Sequence, residues 1–174
     1  MERISGKTIY LRLLEITDVE VVLRIENNKE FWGISETTSP FSEETIREYL
    51  LHAKRDIKEV QQLRLAICDS VSDVIVGLID LFDYDAYNQR AGVGILIEEP
   101  QNRRKGYAAE ALGLVLQFAK QDLRLQQLYA NILEGNTASI ALFEKLAFQK
   151  IGVKKQWRRV GERFENEILY QHII

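Results

Sequence analysis

The sequence predicts an α/β (mixed α+β) fold, with a central mixed sheet of about seven strands flanked by about four helices. Runs rich in β-branched and aromatic residues alternate with segments whose apolar residues recur at helical spacing. The order reads β-α-α-β-β-β-α-β-α-β-β, and 174 residues suit one hydrophobic core, hence a single domain over residues 1–174. Apolar residues at 46% and charged residues at 28% place the chain with globular proteins rather than disordered ones.

Thr8–Leu14 is rich in β-formers and is expected as the first strand. Thr17-Asp18-Val19-Glu20 has the T-x-x-E form of a capping box, so a helix should start there and run to about Asn28. Residues 27–41, containing Phe31, Trp32, Gly33 and Pro40, read as a loop or broken helix. Ser42 suits an N-cap, and Glu43 and Glu44 suit the positive end of a helix dipole. Ile46, Tyr49, Leu50 and Ala53 continue that second helix at i, i+3, i+4, i+7.

Leu63–Cys68 and Val74–Phe82 read as strands joined by a turn over 69–73, and 83–89 as a polar hairpin loop. Ala91–Ile97 is the next strand, with Gly92 and Gly94 on one face, where a missing side chain allows close backbone approach or a bulge. Ala108, Ala111, Leu112, Val115, Leu116, Ala119 and Leu123 form an amphipathic stripe. Leu128–Leu133 is a strand, and Asn136 caps a helix carrying Leu142 and Leu146. Phe148–Trp157 and Phe164–Ile174 close the chain as strands.

A net charge of −3, from 23 basic and 26 acidic residues, argues against a dedicated DNA binder. Cys68 is the only cysteine, so no internal disulfide forms, which fits a reducing cytoplasm. It reads as a buried strand residue rather than a nucleophile. No apolar run reaches the ~20 residues of a membrane span. The first residues lack the apolar core of a signal peptide, so a soluble cytoplasmic protein is expected. His52 and His172 have no spacing that suggests a metal site.

The informative segment is residues 100–108, Pro-Gln-Asn-Arg-Arg-Lys-Gly-Tyr-Ala, between a strand and the strongest helix. Gly106 permits close backbone approach, and the amides around it are unpaired donors at the positive end of a helix dipole. Arg103, Arg104 and Lys105 add charge-assisted donors, so the turn suits a pyrophosphate. The alternative is a solvated basic turn that only starts a helix.

Arg103, Gly106 and Ala108 meet the pattern R/Q-x-x-G-x-G/A. The segment Gly92–Ile97 and the run 136–148, Asn-Thr-Ala-Ser-Ile-Ala-Leu-Phe-Glu-Lys-Leu-Ala-Phe, accompany it. Together they resemble the GNAT superfamily of N-acetyltransferases across essentially the whole chain. The similarity is to the branch of ribosomal-protein N-terminal acetyltransferases and bacterial spermidine acetyltransferases. The resemblance implies the GNAT fold, with a mostly antiparallel sheet splayed at its fourth strand, and acetyl-CoA as cosubstrate. It places the pantetheine arm on Ile95, Leu96 and Ile97. The pyrophosphate falls on residues 103–108 (Arg103, Arg104, Lys105, Gly106, Tyr107 and Ala108), with Asn136, Ser139 and Phe143 beside the arm. A bulge amide near Ile95 would polarise the thioester carbonyl. A homodimer or higher homo-oligomer is also implied.

The chain departs from the family where catalytic groups usually sit. The tyrosine position is Phe143, a glutamate position on the fourth strand is Gly92, and one on the fifth is Asn131. Ser139, one turn before Phe143, is the candidate proton donor, or else only a cofactor contact. Asp80 interrupts the apolar alternation Val76-Leu78-Asp80-Phe82 and is the candidate base or amine anchor, or else marks where the strand leaves the core. Asp83 is a weaker candidate. Glu30, Phe31, Trp32 and Glu36 lie in the segment that caps the acceptor side in relatives, and acidic plus aromatic groups suit a cationic amine. The basic residues Lys154, Lys155, Arg158, Arg159 and Arg163 near Trp157 read as a solvated hairpin, or as a face for acidic protein or RNA. The expected reaction is direct acetyl transfer in a ternary complex to a small-molecule amine (polyamine, diamine, spermidine) or to a protein N-terminus; an antibiotic amine is a further acceptor class. A noncatalytic acyl-CoA-binding or sensing module is the alternative, and a scaffold that binds a partner through the basic cluster is a third.

Overall fold

The computed structural model describes residues 3–35, 37–103 and 105–174, without the side chains of residues 34 and 35. Its centre is an 8-stranded sheet. In chain order the strands are β1 (Ile4–Ser5), β2 (Ile9–Leu13), β3 (Leu63–Asp69), β4 (Ile75–Asp85), β5 (Arg90–Ile97), β6 (Gln127–Leu133), β7 (Gln149–Val160) and β8 (Arg163–Ile173). Their spatial order is β1-β2-β3-β4-β5-β6-β8-β7. Every pairing is antiparallel except β5 with β6. The helices are α1 (Val19–Glu26), α2 (Lys29–Ser35), α3 (Glu43–Leu51), α4 (Ile57–Val60), α5 (Tyr107–Gln121) and α6 (Thr137–Lys145). The expected mixed α/β sheet is present. The short β1 precedes the strand expected first, so the strand ending at Ile97 is fifth rather than fourth.

The continuous apolar run over residues 65–68 of β3 is explained by two cores, one on each face of the sheet. Leu63, Leu65 and Ile67 pack with Ile9, Leu11, Ile79 and Leu81 beneath Ala111, Leu112 and Val115 of α5. Ala66 and Cys68 point the other way and pack with Leu14, Leu78 and the α1 and α3 residues Val22, Ile25, Ile46 and Leu50. Period-2 alternation makes that division, and burial on both sides removes the polar face that a solvated strand would carry. Burial pushes the Cys68 thiol up, as suits an inert packing residue.

Several local expectations are corrected. Thr17 does not cap the first helix. It lies in a 3-10 turn, Ile16–Asp18, and Asp18 stands at the N-cap of α1. The Asp18 carboxylate accepts from Arg12 at 2.7 and 2.9 Å and from the Glu15 amide at 2.8 Å, which sets the chain direction more strongly than a threonine hydroxyl. Within 27–41 the broken-helix alternative holds rather than the loop: α2 follows α1 after a break at residues 27–28. Val76 does not share a face with Leu78, because the β3–β4 register shifts between Ile67 and Cys68 and turns Val76 toward the α5 core.

The two glycines of β5 make room for an aromatic ring. Phe82 pairs with Gly92, and a Cβ on Gly92 would lie 2.2 Å from the Phe82 ring. The same ring meets Tyr129 of β6 edge to face, 5.9 Å between centroids. Gly92→Ala should therefore destabilise the protein by about 1–3 kcal/mol through overpacking. Denaturant unfolding should show most of that penalty vanishing in a Phe82→Ala background, and an unchanged penalty there would refute the steric account.

Candidate active site

β5 and β6 run side by side for only the pairs Arg90–Gln127, Ala91–Leu128 and Gly92–Tyr129. Beyond Gly92 the strands part, while β5 stays paired with β4 as far as Gly77–Ile97. The Glu98 amide donates to the Val76 carbonyl at 3.0 Å, so even-numbered positions of β5 turn their backbone groups toward β4. Ile95 and Ile97 turn theirs toward the gap that β6 has left. A small throat of about 50 Å3 opens there, lined by Ile95, Asn131, Asn136, Ser139, Phe143 and Arg158 among others. It adjoins a cleft of about 1540 Å3, larger than one small ligand needs.

One wall of the cleft is the turn into α5. Gly106 is its N-cap at φ 88°, a left-handed conformation that a side chain would strain. The amides of Tyr107, Ala108 and Ala109 have no acceptor among the described residues, and all three line the cleft. Two contacts fix the helix start. The Glu110 carboxylate accepts from the Lys7 and Thr8 amides and, at 2.5 Å, from the Thr8 hydroxyl. The Tyr107 hydroxyl donates to Asp69 at 2.6 Å. That bond, followed by the Ser72 and Val71 amides, holds the Asp69 carboxyl well below the usual carboxylate range.

The basic residues of this turn are less free than their sequence suggests. The Arg103 guanidinium donates to Glu30 at 3.0 Å and to the carbonyls of Ile97 and Glu98, and sits 5.7 Å above the Phe31 ring. It joins α2 to the end of β5 and is not left free for an anion. Lys105 is exposed, donates to Asn102 at 3.0 Å and does not line the cleft. Arg104 and Glu36 lie outside the described residues.

Across the throat, Asn136 caps α6 by accepting from the Ser139 amide at 3.1 Å. Ser139 is half-buried and lines both cavities. Phe143 is buried and packs edge to face on Phe148 at 4.9 Å, so it shapes the throat and carries no proton.

The acceptor-side residues divide. Glu30 lines the cleft but is paired with Arg103. Trp32 does not line it: the indole N–H donates to the Glu26 carbonyl at 2.9 Å and ties α2 to α1. Phe31 takes the aromatic place in the cleft instead, because the helical form of this segment rotates its neighbour away. Asp80 lines the cleft and is bound by Arg64 at 2.6 Å, while Arg64 also holds Glu26 at 2.5 Å. Burial works against the Arg64 charge, but Asp80 and Glu26 outweigh it and keep the guanidinium above its usual pKa. Asp83 accepts from the Tyr129 hydroxyl at 3.0 Å. Burial and that bond push Tyr129 up to about 12.

A second ionic cluster is absent from the sequence-based list of site residues. Glu167 of β8 is buried and paired with Lys154 and, at 2.9 Å, with Arg158. Lys154 also donates to Asn131 at 3.1 Å, and Arg158 donates to the Gly33 carbonyl of α2 at 2.8 Å. Lys154 pairs with Glu167 across the hairpin, and the register shift between Lys154 and Arg158 sets Arg158 opposite Glu165, two residues from Glu167. Among the described residues no cluster of His, Cys, Asp and Glu is arranged to hold a metal ion. None of the described helices is long and apolar enough to cross a membrane.

This geometry has known counterparts. Residues 8–149 match the acetyltransferase (GNAT) domain. The chain belongs to the GNAT acetyltransferase family. It is 27% identical over 168 residues to the probable N-acetyltransferase YjcK of Bacillus subtilis, covering 94% of this chain and 92% of that one. A crystal structure of spermidine N-acetyltransferase from Vibrio cholerae with CoA and spermine superposes with a TM-score of 0.85 at 20% identity, covering 97% and 96% of the two chains. A ribosomal-protein-serine acetyltransferase structure, described as putative and also from Vibrio cholerae, does so with a TM-score of 0.77 at 16% identity, covering 99% and 98%. This GNAT protein is an acetyl-CoA-dependent N-acetyltransferase, and acetyl-CoA is its cosubstrate. The opened strand, the unpaired amides of α5 and the size of the cleft fit that molecule.

The Tyr107–Asp69 bond has a pH signature. A carboxyl depressed in the folded state contributes stability above its unfolded pKa of about 3.9, and that contribution fades as pH falls toward the folded value. In Tyr107→Phe, Asp69 should titrate closer to an ordinary aspartate, and the acid unfolding midpoint should move to higher pH. NMR carboxyl titration of both proteins reads the first effect directly, and identical Asp69 curves would contradict it.

Proposed function

We propose that this GNAT protein acetylates the α-amine of a protein or peptide N-terminus by direct attack on acetyl-CoA in a ternary complex. Acetyl-CoA supplies an activated acyl thioester. The carbonyl and amide of Ile95, with the Ile97 amide, pair with the pantetheine arm and Leu96 lies between them. The amides of residues 106–109 receive the pyrophosphate. Asn136 and Ser139 flank the arm, Phe143 closes the throat beneath it, and Ser139 supplies a proton to the departing thiolate, directly or through water.

One observation carries the choice of acceptor: among the described residues, the carboxylates expected as a base are already engaged. The family's glutamate positions hold Gly92 and Asn131; of the remaining candidates, Asp80 is held by Arg64 and Asp83 accepts from the Tyr129 hydroxyl. A polyamine or lysine amine, with pKa near 10.4, needs about 4–5 kcal/mol to lose its proton at pH 7. An N-terminal α-amine, near 7.7–8.0, needs only about 1 kcal/mol. A site without a strong base therefore suits the α-amine. Asp80 then acts as an anchor for the amine rather than as its base. The likeness to a putative ribosomal-protein-serine acetyltransferase accords with this reading. The likeness to spermidine N-acetyltransferase, together with the excess negative charge of Glu26 and Asp80 over Arg64, favours a polyamine as the second reading. A dodecameric relative structure supports assembly into a homo-oligomer.

The pH dependence of kcat/KM separates the two. With an N-terminal peptide the rate should rise with pH and level off near the α-amine pKa of about 8. Thiol release measured for spermidine, putrescine and N-terminal peptides checks it. Turnover of the polyamines alone, still rising above pH 9, would overturn the α-amine reading.

A further inference from the structure

The glycines of β4 and β5 differ in the space above them. A Cβ on Gly77 would lie 2.1 Å from the Leu96 carbonyl oxygen, and one on Gly92 would lie 2.2 Å from the Phe82 ring, so packing closes both positions. Among the described residues a Cβ on Gly94 would meet only the Phe82 ring, at 3.8 Å, an ordinary van der Waals separation. Gly94 lines both the throat and the cleft, which places that open space where the two cavities join.

Strand register supplies the walls. Asp80 pairs with Gly94, and the neighbouring pairs Phe82–Gly92 and Leu78–Leu96 put Phe82 and Leu96 on the same face, at either end. Gly92 pairs with Tyr129, so Asn131 would stand opposite Gly94 had β5 and β6 stayed together. Because they part, Asn131 becomes the far wall of a seat with a bare backbone floor. Asp80, Phe82, Leu96 and Asn131 all line the cleft. Two of the walls are held in place: Arg64 holds Oδ1 of Asp80 at 2.6 Å, and Lys154 donates to Asn131 at 3.1 Å. An ammonium in the seat meets the other Asp80 oxygen, Oδ2, and the Phe82 ring.

We infer, on the strength of the α-amine reading above, that Gly94 is the specificity-determining residue of the acceptor site: its missing side chain makes room for the branched carbon that carries an α-amine. Gly94 directly precedes Ile95, whose backbone faces the gap assigned to the pantetheine arm. An amine above Gly94 therefore stands beside the acetyl end of the arm, and the carbon bearing it rests on the floor. In every N-terminal residue but glycine that carbon also bears a side chain. In N-terminal glycine, spermidine and putrescine the terminal amine is carried by a methylene. A methyl group at position 94 takes up the room that the branch needs and leaves room for the methylene. Asp80 and Phe82 attract either kind of amine, so they do not make this choice. At 3.8 Å from its nearest neighbour, a Cβ at position 94 displaces no described protein atom, so the substitution alters the substrate's space and not the packing of the sheet.

The test is kcat/KM for two peptides that differ only in Ala or Gly at residue 1, in the wild-type chain, Gly94→Ala and Gly94→Val. Spermidine runs beside them, and CoA affinity is measured for each protein. The wild-type chain should acetylate the Ala peptide at least as well as the Gly peptide. Gly94→Ala should lower the Ala/Gly ratio about tenfold, the low end of what one methylene is worth in a close-fitting pocket. Gly94→Val, which fills the seat, should acetylate neither peptide, and both variants should fold and bind CoA as the wild-type chain does. The ratio is internal to each protein, so partial loss of folded protein does not move it. A wild-type preference for the Gly peptide, an unchanged ratio in Gly94→Ala, or turnover of the Ala peptide by Gly94→Val overturns this inference and leaves α-amine acetylation standing. So does loss of folding or of CoA binding in Gly94→Ala, because the methyl group then meets the protein or the cofactor instead of the acceptor. Turnover of spermidine with neither peptide acetylated overturns the α-amine reading itself.

Discussion

The early parting of β5 from β6 is the constraint on which the site depends. A parallel pair ordinarily continues as long as both strands do, because each unpaired backbone group left in the interior is unfavourable. Here pairing ends at Gly92–Tyr129, although β5 continues to Ile97 and β6 to Leu133. The Phe82 ring lies over Gly92 at that point and packs against Tyr129. Asn136, Ser139 and Phe143 of the α6 region line the gap beyond it. The backbone of Ile95 and Ile97 is thus left facing a space that a ligand with alternating amides can fill. The free amides of α5 stand further along the same cleft.

Electrostatic balance governs the rest. Cations hold most of the carboxylates that line the acceptor side: Arg64 holds Glu26 and Asp80, Arg103 holds Glu30, and Lys154 and Arg158 hold Glu167. These pairs tie α1 to β3 and β4, α2 to the end of β5, and β7 to β8, and the Arg158 bond to the Gly33 carbonyl ties β7 to α2. The acceptor wall is therefore fixed by ion pairs as well as by the apolar core that α1 shares with β3 and β4. Partly buried pairs of this kind are weak sources of net stability but strong constraints on geometry. The chemistry follows from the same fact, because carboxylates already engaged in holding the wall together are poor replacements for a missing catalytic base.

Much of this was legible in the sequence, for a physical reason in each case. The α5 stripe, the Asn136 cap and the Gly106 turn are local signals, set by helical periodicity and by backbone groups that need a partner within a few residues. The Arg64–Asp80 pair, the rotation of Trp32 out of the cleft and the Lys154–Glu167–Arg158 cluster are not local. The first and last depend on strand register and the second on the helical form of α2; the β3–β4 register shifts at Ile67/Cys68 and the β7–β8 register between Lys154 and Arg158. The one-residue shift at Ile67/Cys68 reverses the face of Val76, whereas the two-residue shift in β7 leaves Lys154 and Arg158 on one face. The hairpin cations read as solvated in the sequence because their buried partner, Glu167, lies across the hairpin on β8. Asp18 was hidden behind a threonine with the better capping pattern, and only its contact with Arg12 on β2 reveals which residue starts the helix.

The measurement that bears most directly on the opened strand is an amide NMR titration with CoA. The account predicts that the largest shifts fall on Ile95, Ile97 and the amides from Gly106 to Ala109, with slowed hydrogen exchange at the two isoleucines once the arm is bound. Saturable CoA binding that leaves those amides unmoved, with the shifts gathered elsewhere on the sheet, would contradict it.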